Sequence, residues 1–506
     1  MSSKTLSAAI IGLGASPVEV EADNSPHGTP GISIVGLPDK AVDESRSRVR
    51  SAIKNSEMQF PRGNVTVNLA PADLKKIGAY YDLPIAVTCL QQTDQIKLSD
   101  WQNNLFIGEL SLDGMLRPVS GVLSIADMCK HRNIKNIFVP IGNAAEASLV
   151  GGINVFGVEN LKQLVDHFKG ETQITRHISN VVEEEFVDDF EVDMAYIKGQ
   201  ESAKRALEIM AAGSHNILMS GPPGSGKTML AKAAISILPR MSLSESLDVT
   251  KVYSAAGLLP SDKPLVRTRP FRSPHHTASG VALVGGGAWP RPGEISLSHR
   301  GVLFLDEFLE FPKSVLENLR QPLEDGEISV SRAAGTLSFP ARFVLIAAMN
   351  PCPCGFYSDP ERECSCGASQ VIKYQKRASG PLIDRIDLHV EVPRINFNKL
   401  ESENIGESSQ NIRMRVQFAR NIQIERFKDC KIVNNSEMNS EQIKKHCVLN
   451  EESKNILRQA VDRLQLSARA YYRILKVSRT IADLSGEEKV SSLHIAEALQ
   501  YRPVIE

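Results

Sequence analysis

Residues 221–228 have the composition of a loop that binds nucleotide phosphates. They read Gly-Pro-Pro-Gly-Ser-Gly-Lys-Thr and lie between an apolar run at 216–220 and a run of Met, Leu, Ala and Lys residues that favours a helix. Glycines let backbone N–H groups surround phosphate oxygens, Lys227 can reach the β- and γ-phosphates, and the Thr228 hydroxyl can bind Mg²⁺. The sequence therefore predicts a strand, a phosphate-binding loop and a helix that hold ATP and Mg²⁺. The predicted binding positions are Gly221, Pro222, Pro223, Gly224, Ser225, Gly226, Lys227 and Thr228.

Two further apolar runs end in polar residues. The run at 301–307 ends in Asp306 and Glu307, and the run at 343–349 is followed by Asn350. A buried strand that ends this way can deliver Asp306 to a Mg²⁺ ion and leave Glu307 free to polarise an attacking water. Asn350 can orient water or contact the γ-phosphate, and the alternative that it only opens the next turn stays open.

Two arginines are candidates for neutralising charge on a transferred phosphoryl group. Arg385 lies in the run Ser-Gly-Pro-Leu-Ile-Asp-Arg-Ile-Asp at 379–387. Arg469 follows Ser467, whose side chain suits the N-cap of a helix. An arginine from a neighbouring subunit can gate phosphoryl transfer. Single arginines are weak signals, and an internal salt bridge is the competing interpretation of Arg385.

Four of the eight cysteines follow Asn350 closely. Cys352 and Cys354 form one Cys-x-Cys pair, and Cys364 and Cys366 form another. Four thiolates from one loop fit a tetrahedral Zn²⁺ that braces a segment too short to have its own core. Cys-x-Cys pairs are less diagnostic than Cys-x-x-Cys pairs, so free or redox-active thiols stay open as the alternative.

Length and composition describe an ordinary soluble protein of several domains. At 506 residues the chain is too long for a single core. Its net charge of -1 means that any contact with nucleic acid must come from local basic patches. No apolar run approaches the ~20 residues of a membrane span. The scattered cysteines do not resemble a secreted disulfide framework and indicate the cytoplasm.

The hydrophobic pattern divides the chain into domains. β-rich runs at 31–35, 64–68 and 136–140 alternate with amphipathic segments such as 41–55, which predicts an N-terminal α/β domain. A run dense in acids at 181–193 then predicts a linker, and an acidic helix face stays open as the alternative for its second half. The end of the chain has helical spacing. The predicted domains are residues 1–172, an acidic linker at 173–193, a nucleotide-binding core at 194–395 and a helical domain at 396–506.

The order of phosphate loop, paired acids, polar strand end and two arginines resembles that of AAA+ ATPases. The motifs at 273–277, 284–287 and 292–295, which include Ser-Pro-His-His-Thr and Pro-Gly-Glu-Ile, resemble the magnesium-chelatase-like branch of these enzymes. The runs at 350–355 and 379–387 narrow the resemblance to the YifB/ComM family. It extends over nearly the whole chain, because N-terminal runs such as Ile-Val-Gly-Leu-Pro are equally typical of that family.

The resemblance implies an α/β fold with three parts. These are a Lon-protease-like α+β domain at the N-terminus, a central AAA+ P-loop α/β domain and a C-terminal helical lid. It also implies a hexameric homo-oligomer that hydrolyses ATP between subunits, since Arg385 would have no target in its own subunit. ComM-type members are understood to drive branch migration of DNA in homologous recombination during natural transformation. Single-stranded or branched DNA is therefore the implied partner.

The resemblance also implies a role for each candidate residue. Lys227 would hold phosphate and Thr228 would hold Mg²⁺, while Asp306 would bind the metal and Glu307 would act on the water. Asn350 would be the first sensor and Arg469 the second sensor. Arg385 would be the finger that reaches a neighbour's nucleotide, and Gln200 would lie beside the adenine. Two insertions would line the ring pore. Their implied DNA contacts are His275 and His276 in one and Arg332 in a hairpin near 327–335, although each is equally readily a solvated surface group.

Three other functions compete with a DNA motor. Lon-like proteolysis needs a serine nucleophile and a lysine. Residues 77–82 offer tyrosines instead, and residues 122–125 contain no lysine, so both members of the dyad are missing. A chelatase-type ATPase acting on a protein partner is disfavoured because the classical chelatase subunit lacks a Lon-like domain. A nucleotide-gated scaffold is disfavoured because Glu307 and Arg385 are intact.

Overall fold

The chain forms two compact units in a computed structural model. The first comprises Met1–Glu185 and Leu243–Arg267, and the second comprises Phe186–Ser242 and Thr268–Glu506. No helix among the described residues is both long and apolar enough to span a bilayer. The structure describes residues 2–25, 31–178, 190–260, 262–287, 290–332, 335–357, 359, 361–395, 406–430 and 432–502. Much of the predicted acidic linker, residues 179–189, lies outside these ranges.

The first unit contains an eight-stranded mixed sheet. The strands of the unit are β1 (Ser3–Ile11), β2 (Gly14–Ser25), β3 (Gly31–Val35), β4 (Asn64–Ala70), β5 (Asn104–Phe106), β6 (Glu109–Leu110), β7 (Leu116–Arg117), β8 (Asn136–Pro140), β9 (Asn154–Val158) and β10 (Arg176–His177). Of these, β6 and β7 form a separate two-stranded pair. The sheet order is β10-β9-β8-β5-β1-β2-β4-β3. The strands predicted from the alternating apolar runs are confirmed as β3, β4 and β8.

Helices cover this sheet. The helix predicted at 41–55 is confirmed as Lys40–Asn55, where the Asp39 carboxylate accepts a hydrogen bond from the Val42 N–H at 2.8 Å. Asp39 is thus an N-cap, and Val49 and Ile53 lie buried on the same helix. The helices of the unit are Lys40–Asn55, Asp82–Gln91, Val122–His131, Ile141–Ala147, Leu161–Lys169 and Leu243–Ala256.

The helix Leu243–Ala256 belongs to the first unit although it interrupts the second in sequence. The Glu146 carboxylate accepts hydrogen bonds from the Ser254 hydroxyl at 2.5 Å and from the Leu123 N–H at 2.9 Å. Burial raises the pKa of Glu146, and these hydrogen bonds oppose that shift. The chain therefore passes between the units three times, which the apolar pattern did not predict.

The second unit is organised by a five-stranded parallel sheet. The strands of the unit are β11 (Ile217–Ser220), β12 (Phe271–Arg272), β13 (Gly285–Gly286), β14 (Arg291–Pro292), β15 (Val302–Leu305), β16 (Glu327–Arg332), β17 (Gly335–Pro340), β18 (Val344–Met349) and β19 (Leu388–Glu391). Of these, β13 pairs with β14 and β16 pairs with β17 outside the five-stranded sheet. The sheet order is β12-β15-β18-β11-β19, and every neighbouring pair is parallel. The carboxyl ends of β11, β15 and β18 therefore meet at one edge, where α/β sheets bind ligands.

The C-terminal helices share a core with this sheet. Ile217 and Ile346 of the sheet belong to the same buried cluster as Val477 and Ile481 of the helix Ala468–Leu484. This shared core explains why the predicted core and helical domain form one compact unit. Among the described residues, the helices of the unit are Glu201–Gly213, Lys227–Ile237, Gly280–Val284, Glu294–Leu297, Lys313–Glu317, Arg320–Asp325, Ala368–Gln375, Gly380–Ile383, Ser409–Arg426, Ser440–His446, Glu451–Leu464, Ala468–Leu484 and Ser492–Gln500.

The half-buried imidazole of His389 on β19 gives the second unit a pH-dependent stability. Burial, helped by the nearby Arg473 charge, lowers the pKa of His389 to about 4, whereas an unfolded histidine has a pKa of about 6.5. The stabilisation is therefore complete above pH ~6.5 and is lost as the pH falls towards 4. We expect protonation of His389 to cost about 1–3 kcal/mol of unfolding free energy.

Urea unfolding at pH 7 and pH 5 measures this effect. The loss of stability between the two pH values should be smaller in His389→Asn than in the original chain, because the substitution removes the titrating ring. His131→Asn is the matched control, since the His131 side chain is 77% exposed. Equal pH dependence in His389→Asn and the original chain would contradict the prediction.

Candidate nucleotide site

The phosphate-binding loop joins β11 to the helix Lys227–Ile237. Gly224 and Gly226 have φ angles of +76° and +92°, which glycine adopts without strain. A Cβ at either position would have no atom within 4 Å, so the backbone there is open to a ligand. At Gly221, by contrast, a Cβ would lie 2.1 Å from the Val392 carbonyl oxygen. The loop is thus open at Gly224 and Gly226, where phosphate would approach. It is tightly packed at Gly221, where the chain leaves β11.

The Lys227 ammonium lies inside this loop. Its Nζ donates hydrogen bonds to the carbonyl oxygens of Gly221 at 2.7 Å and Pro222 at 2.9 Å, and lies 3.4 Å from the Asn350 Oδ1. Burial lowers the pKa of Lys227 to about 8, and the Asp306 charge opposes this shift. The buried Ser225 hydroxyl has no hydrogen-bond partner among the described residues. These groups fit an anionic ligand such as a nucleotide phosphate.

The structure brings the two predicted Mg²⁺ ligands together. Thr228 lies in the first turn of the helix Lys227–Ile237, and Asp306 follows the end of β15. The Thr228 Oγ1 donates a hydrogen bond to the Asp306 Oδ2 at 2.7 Å. A hydroxyl beside a carboxylate is the hard oxygen set that Mg²⁺ prefers next to phosphates. The residues present therefore fit Mg²⁺.

Glu307 has a partner that sequence reasoning did not identify. The His276 Nδ1 lies 3.0 Å from the Glu307 Oε2, and the Glu307 backbone has a φ of +50°. The sequence linked His276 to DNA, but the structure places its ring beside the acid predicted to polarise water. The exposed His275 ring lies 4.1 Å from that of His276, and its Nδ1 is 2.9 Å from the Thr277 hydroxyl. The short distance in sequence between β12 and these histidines was the signal that could have revealed this arrangement.

Gln200 supports the phosphate loop from another side. Its Nε2 donates hydrogen bonds to the carbonyl oxygens of Pro393 at 2.5 Å and Ser225 at 3.4 Å. The side chain therefore connects the loop to the segment that follows β19. Its predicted position beside the adenine stays a prediction.

Arg385 and Arg469 meet at one carboxylate. The Arg469 Nη2 lies 2.9 Å from the Glu324 Oε1, and the Arg385 Nη2 donates to the Glu324 Oε2. The internal salt bridge left open by the sequence is thus present, but Arg385 pairs with Glu324 and not with the flanking Asp384 or Asp387. Arg385 therefore has a partner within its own chain.

The predicted hairpin is present as β16 and β17. These strands pair in antiparallel register, with Arg332 opposite Gly335 at the turn. The Arg332 side chain lies outside the described residues. The proposed phosphate contact of Arg332 therefore stays a prediction.

The four clustered cysteines form a candidate metal centre. Their sulfur atoms all lie within 4.8 Å of one another. Cys352 Sγ is 3.3 Å from Cys354 Sγ and 3.6 Å from Cys364 Sγ, close to the ~3.8 Å between thiolates in a tetrahedral site with Zn–S bonds of ~2.3 Å. A hydrogen bond from the Phe356 backbone lowers the pKa of Cys354 to about 5, which favours the thiolate that binds metal. Cys366 completes the set, and the residues present fit Zn²⁺.

The cysteine loop packs directly on the phosphate loop. Gly355 has a φ of +85°, and a Cβ there would lie 2.5 Å from the Pro223 Cδ. The Gln375 Nε2 also donates to the Pro351 carbonyl oxygen at 3.1 Å, which ties the start of the cysteine loop to the helix Ala368–Gln375. Sequence reasoning treated the cysteines and the phosphate loop separately. The position of the cysteines after β18, which neighbours β11, was the signal that could have joined them.

The segments that would hold a Lon-type dyad have structural roles in the first unit. Tyr81 is fully buried, and burial raises its pKa well above 10. Asp82 is also buried, with its carboxylate 2.7 Å from the Arg48 Nε. Residues 122–125 form the first turn of the helix Val122–His131, where Ser124 is buried. Neither segment supplies a serine and lysine pair for peptide hydrolysis.

Three family models match successive parts of the chain. They are described as subunit ChlI of Mg-chelatase at residues 18–143, magnesium chelatase subunit ChlI at 193–400 and the ChlI C-terminal region at 406–502. The competence protein ComM of Haemophilus influenzae is 44% identical over 99% of this chain and 97% of its own length. The chain belongs to the YifB/ComM family of magnesium-chelatase-like proteins. The resemblance predicted from its motifs is confirmed.

Other relatives separate this family from the chelatase subunits. The uncharacterized protein YifB of Escherichia coli is 40% identical over 98% of this chain and 96% of its own length. The magnesium-chelatase 38 kDa subunit of Rhodobacter capsulatus is 27% identical over 31% of this chain and 49% of its own length. The YifB/ComM members therefore match both units. The parallel sheet and C-terminal helices fit the magnesium-chelatase-like AAA+ fold of this family.

The contact between Gly355 and Pro223 predicts that the cysteine loop positions the phosphate loop. In Gly355→Ala the added Cβ would force the two loops apart, because it would lie 2.5 Å from a proline ring carbon. We expect at least a ~10-fold loss of ATP affinity, which corresponds to about 1.4 kcal/mol. Titration with a fluorescent ATP analogue measures the change.

Two glycines give matched controls for this substitution. Gly170→Ala carries a similar backbone strain, since Gly170 has a φ of +80°, but its Cβ would have no atom within 4 Å. Gly367→Ala lies in the same cysteine loop and is equally open. Both variants should bind the analogue like the original chain. Unchanged affinity in Gly355→Ala would show that the contact does not position the phosphate loop.

Proposed function

We propose that this chain is an ATP-hydrolysing AAA+ motor that acts on DNA as a branch-migration helicase of the ComM type. The observation that carries the ATPase part is the convergence of Lys227, Thr228, Asp306, Glu307 and Asn350 at one edge of the parallel sheet. Membership of the YifB/ComM family supports the DNA part, with a role in homologous recombination during natural transformation. A hexameric homo-oligomer in the cytoplasm belongs to the same proposal.

The side chains divide the work of hydrolysis among them. Magnesium-bound ATP supplies the phosphoryl group that is transferred to water. Lys227 and the open N–H groups of the loop hold the phosphates, and Thr228 and Asp306 hold the metal. Glu307 orients and polarises the water, and its contact with His276 fixes the direction of its carboxylate. Asn350, close to Lys227, senses the terminal phosphate.

The DNA contact in this proposal rests on a small set of side chains. A basic segment at 263–272 contains Lys263, Arg267, Arg269 and Arg272. It contributes less to the proposed DNA contact than its charge indicates, because two of its arginines are engaged within the chain. Arg272 forms hydrogen bonds of 2.6 and 2.7 Å with Glu294, and the Arg269 Nε donates to the Pro239 carbonyl oxygen at 2.6 Å. Arg332, at the turn of the β16–β17 hairpin, and the exposed His275 remain the proposed contacts.

A chelatase-type ATPase that remodels a protein partner is the second candidate. The magnesium-chelatase models that match both units favour it. The whole-chain identity to ComM and YifB favours the DNA motor instead. A Lon-like domain without its dyad, acting as a binding or assembly module, fits either function. ATPase stimulation by DNA distinguishes them.

The first test measures ATP hydrolysis with and without forked DNA, followed by strand displacement. We expect forked DNA to raise the ATPase rate several-fold and Lys227→Ala to abolish turnover, because the buried ammonium is lost. Lys232→Ala is the matched control, since Lys232 lies on the same helix and pairs with Glu191 at 3.1 Å. Its rate should equal that of the original chain.

The two parts of the proposal fail in different ways. Absence of ATP hydrolysis under all conditions would contradict the motor. Hydrolysis without DNA binding at low salt, where phosphate contacts are strongest, would contradict the helicase and favour the protein-remodelling candidate.

The proposal also assigns Zn²⁺ to Cys352, Cys354, Cys364 and Cys366. Protein purified without chelators should contain about one zinc per chain, because four thiolates complete a tetrahedral shell. Cys364→Ser should release the metal and lower the melting temperature, whereas Cys430→Ser, at an exposed free cysteine, should change neither. Elemental analysis and thermal unfolding measure both effects. A nearly metal-free protein would favour free or redox-active thiols.

A further inference from the structure

Glu324 joins two arginines that are distant in sequence. It lies on the short helix Arg320–Asp325, and each of its carboxylate oxygens contacts a different guanidinium group. Oε1 lies 2.9 Å from the Arg469 Nη2, and Oε2 accepts from the Arg385 Nη2. These two contacts lower the pKa of Glu324, with the Arg385 hydrogen bond as the larger cause. One carboxylate thus holds both candidate arginines at a single point.

The two arginines retain capacity for another anion. The Arg385 Nη1 donates to the Pro381 carbonyl oxygen at 2.6 Å, but the buried Nε of Arg385 has no hydrogen-bond partner in the part of the chain that the structure describes. Arg469 is 44% exposed and lies in the first turn of the helix Ala468–Leu484, whose N-terminus adds partial positive charge. A single carboxylate balances only one of the two guanidinium charges. A phosphate group has more charge and more acceptor oxygens than the carboxylate it would replace.

The contacts of the arginines do not lead to the nucleotide site of their own chain. Within the described residues, neither guanidinium contacts the phosphate loop, Asp306 or Glu307. Glu324 and Arg469 are accessible, with side chains that are 49% and 44% exposed, and the Arg385 side chain behind them is 14% exposed. A phosphate that reaches both arginines would therefore come from outside the chain.

We propose that Glu324 is a positioning residue that takes the place of a phosphate group between Arg385 and Arg469. Its two oxygens keep the guanidinium groups together in the isolated chain. The terminal phosphate of a nucleotide bound to a second copy of the chain displaces the carboxylate when the copies meet. This inference rests on the proposed ATP hydrolysis between subunits and adds a carboxylate that competes with the nucleotide.

The competition has a measurable consequence. Engagement of the second copy's nucleotide requires that both arginines first leave Glu324. In Glu324→Gln the neutral amide binds guanidinium groups more weakly, because the charge assistance is lost. The arginines are then easier to recruit, so ATPase activity should reach half of its maximum at a lower protein concentration.

The experiment measures the ATPase rate against protein concentration for three forms of the full chain. We expect the half-maximal concentration of Glu324→Gln to fall about 3- to 10-fold relative to the original chain. Glu317→Gln is the matched control, because Glu317 pairs with Arg320 at 2.7 Å on a neighbouring turn and contacts neither candidate arginine. Its curve should match the original. An unchanged or raised half-maximal concentration in Glu324→Gln would overturn the proposal.

A double variant separates competition from a structural role. An Arg385→Ala background lacks the predicted finger, so the association of chains in the presence of a non-hydrolysable ATP analogue, measured by sedimentation, replaces the ATPase rate as the readout. In that background Glu324→Gln should not shift the concentration at which the chains associate, since one of the two recruited groups is absent. A shift that persists there would mean that Glu324 acts elsewhere and would overturn the proposal. If Glu324→Gln fails to fold, Glu324→Asp replaces it, because the shorter side chain keeps its charge but cannot bridge both arginines.

Binding of inorganic phosphate tests the same site without ATP hydrolysis. Phosphate should raise the melting temperature of Glu324→Gln more than that of the original chain, and Arg385→Ala should remove the difference. If the original chain lacks ATPase activity at every concentration, the proposed function fails, while this shift still tests the arginine pair. If the original chain is active and Glu324→Gln behaves like Glu317→Gln in both measurements, only the role of Glu324 fails.

Discussion

The candidate nucleotide site depends on the hydrogen bonds that the buried ammonium of Lys227 donates to its own loop. Removing a charge from water is costly, and the carbonyl oxygens of Gly221 and Pro222 offset part of that cost only if the loop holds one conformation. The loop can hold it because Gly221 has no side chain to collide with the segment after β19. The parallel sheet then aligns Asp306 and Asn350 with the loop, since their strands end at the same edge.

The loop is supported on two sides by parts of the chain with unrelated chemistry. Gln200 connects it to the exit of β19 through carbonyl oxygens, and Gly355 of the cysteine loop packs on Pro223. These contacts favour one conformation of the loop, which reduces the ordering cost of binding a ligand. The same arrangement places the loop that carries the four clustered thiols against the phosphate-binding loop, so the chemical state of the sulfur atoms and the shape of the phosphate-binding loop are linked.

Much of the site was predictable because its residues follow strands that the apolar runs identify. In a parallel sheet, the ends of β11, β15 and β18 must lie together, so Lys227, Asp306 and Asn350 required only the order of the strands. Contacts between side chains on separate loops were not predictable. His276 beside Glu307, Glu324 between two arginines and Gly355 on Pro223 depend on tertiary packing, which has no period in the sequence. Likewise, nothing in the amphipathic pattern of the helix Leu243–Ala256 indicates which unit it packs in.

The membership of that helix in the first unit also determines how the chain can be divided. A cut within the acidic segment would leave the two units covalently tied through residues 243–267. A fragment that begins after the acidic segment would carry a helix whose buried residues, such as Val249 and Val252, have lost their partners. Such a fragment would expose apolar side chains to water and tend to aggregate. The second unit therefore has no boundary in sequence at which it can be separated cleanly.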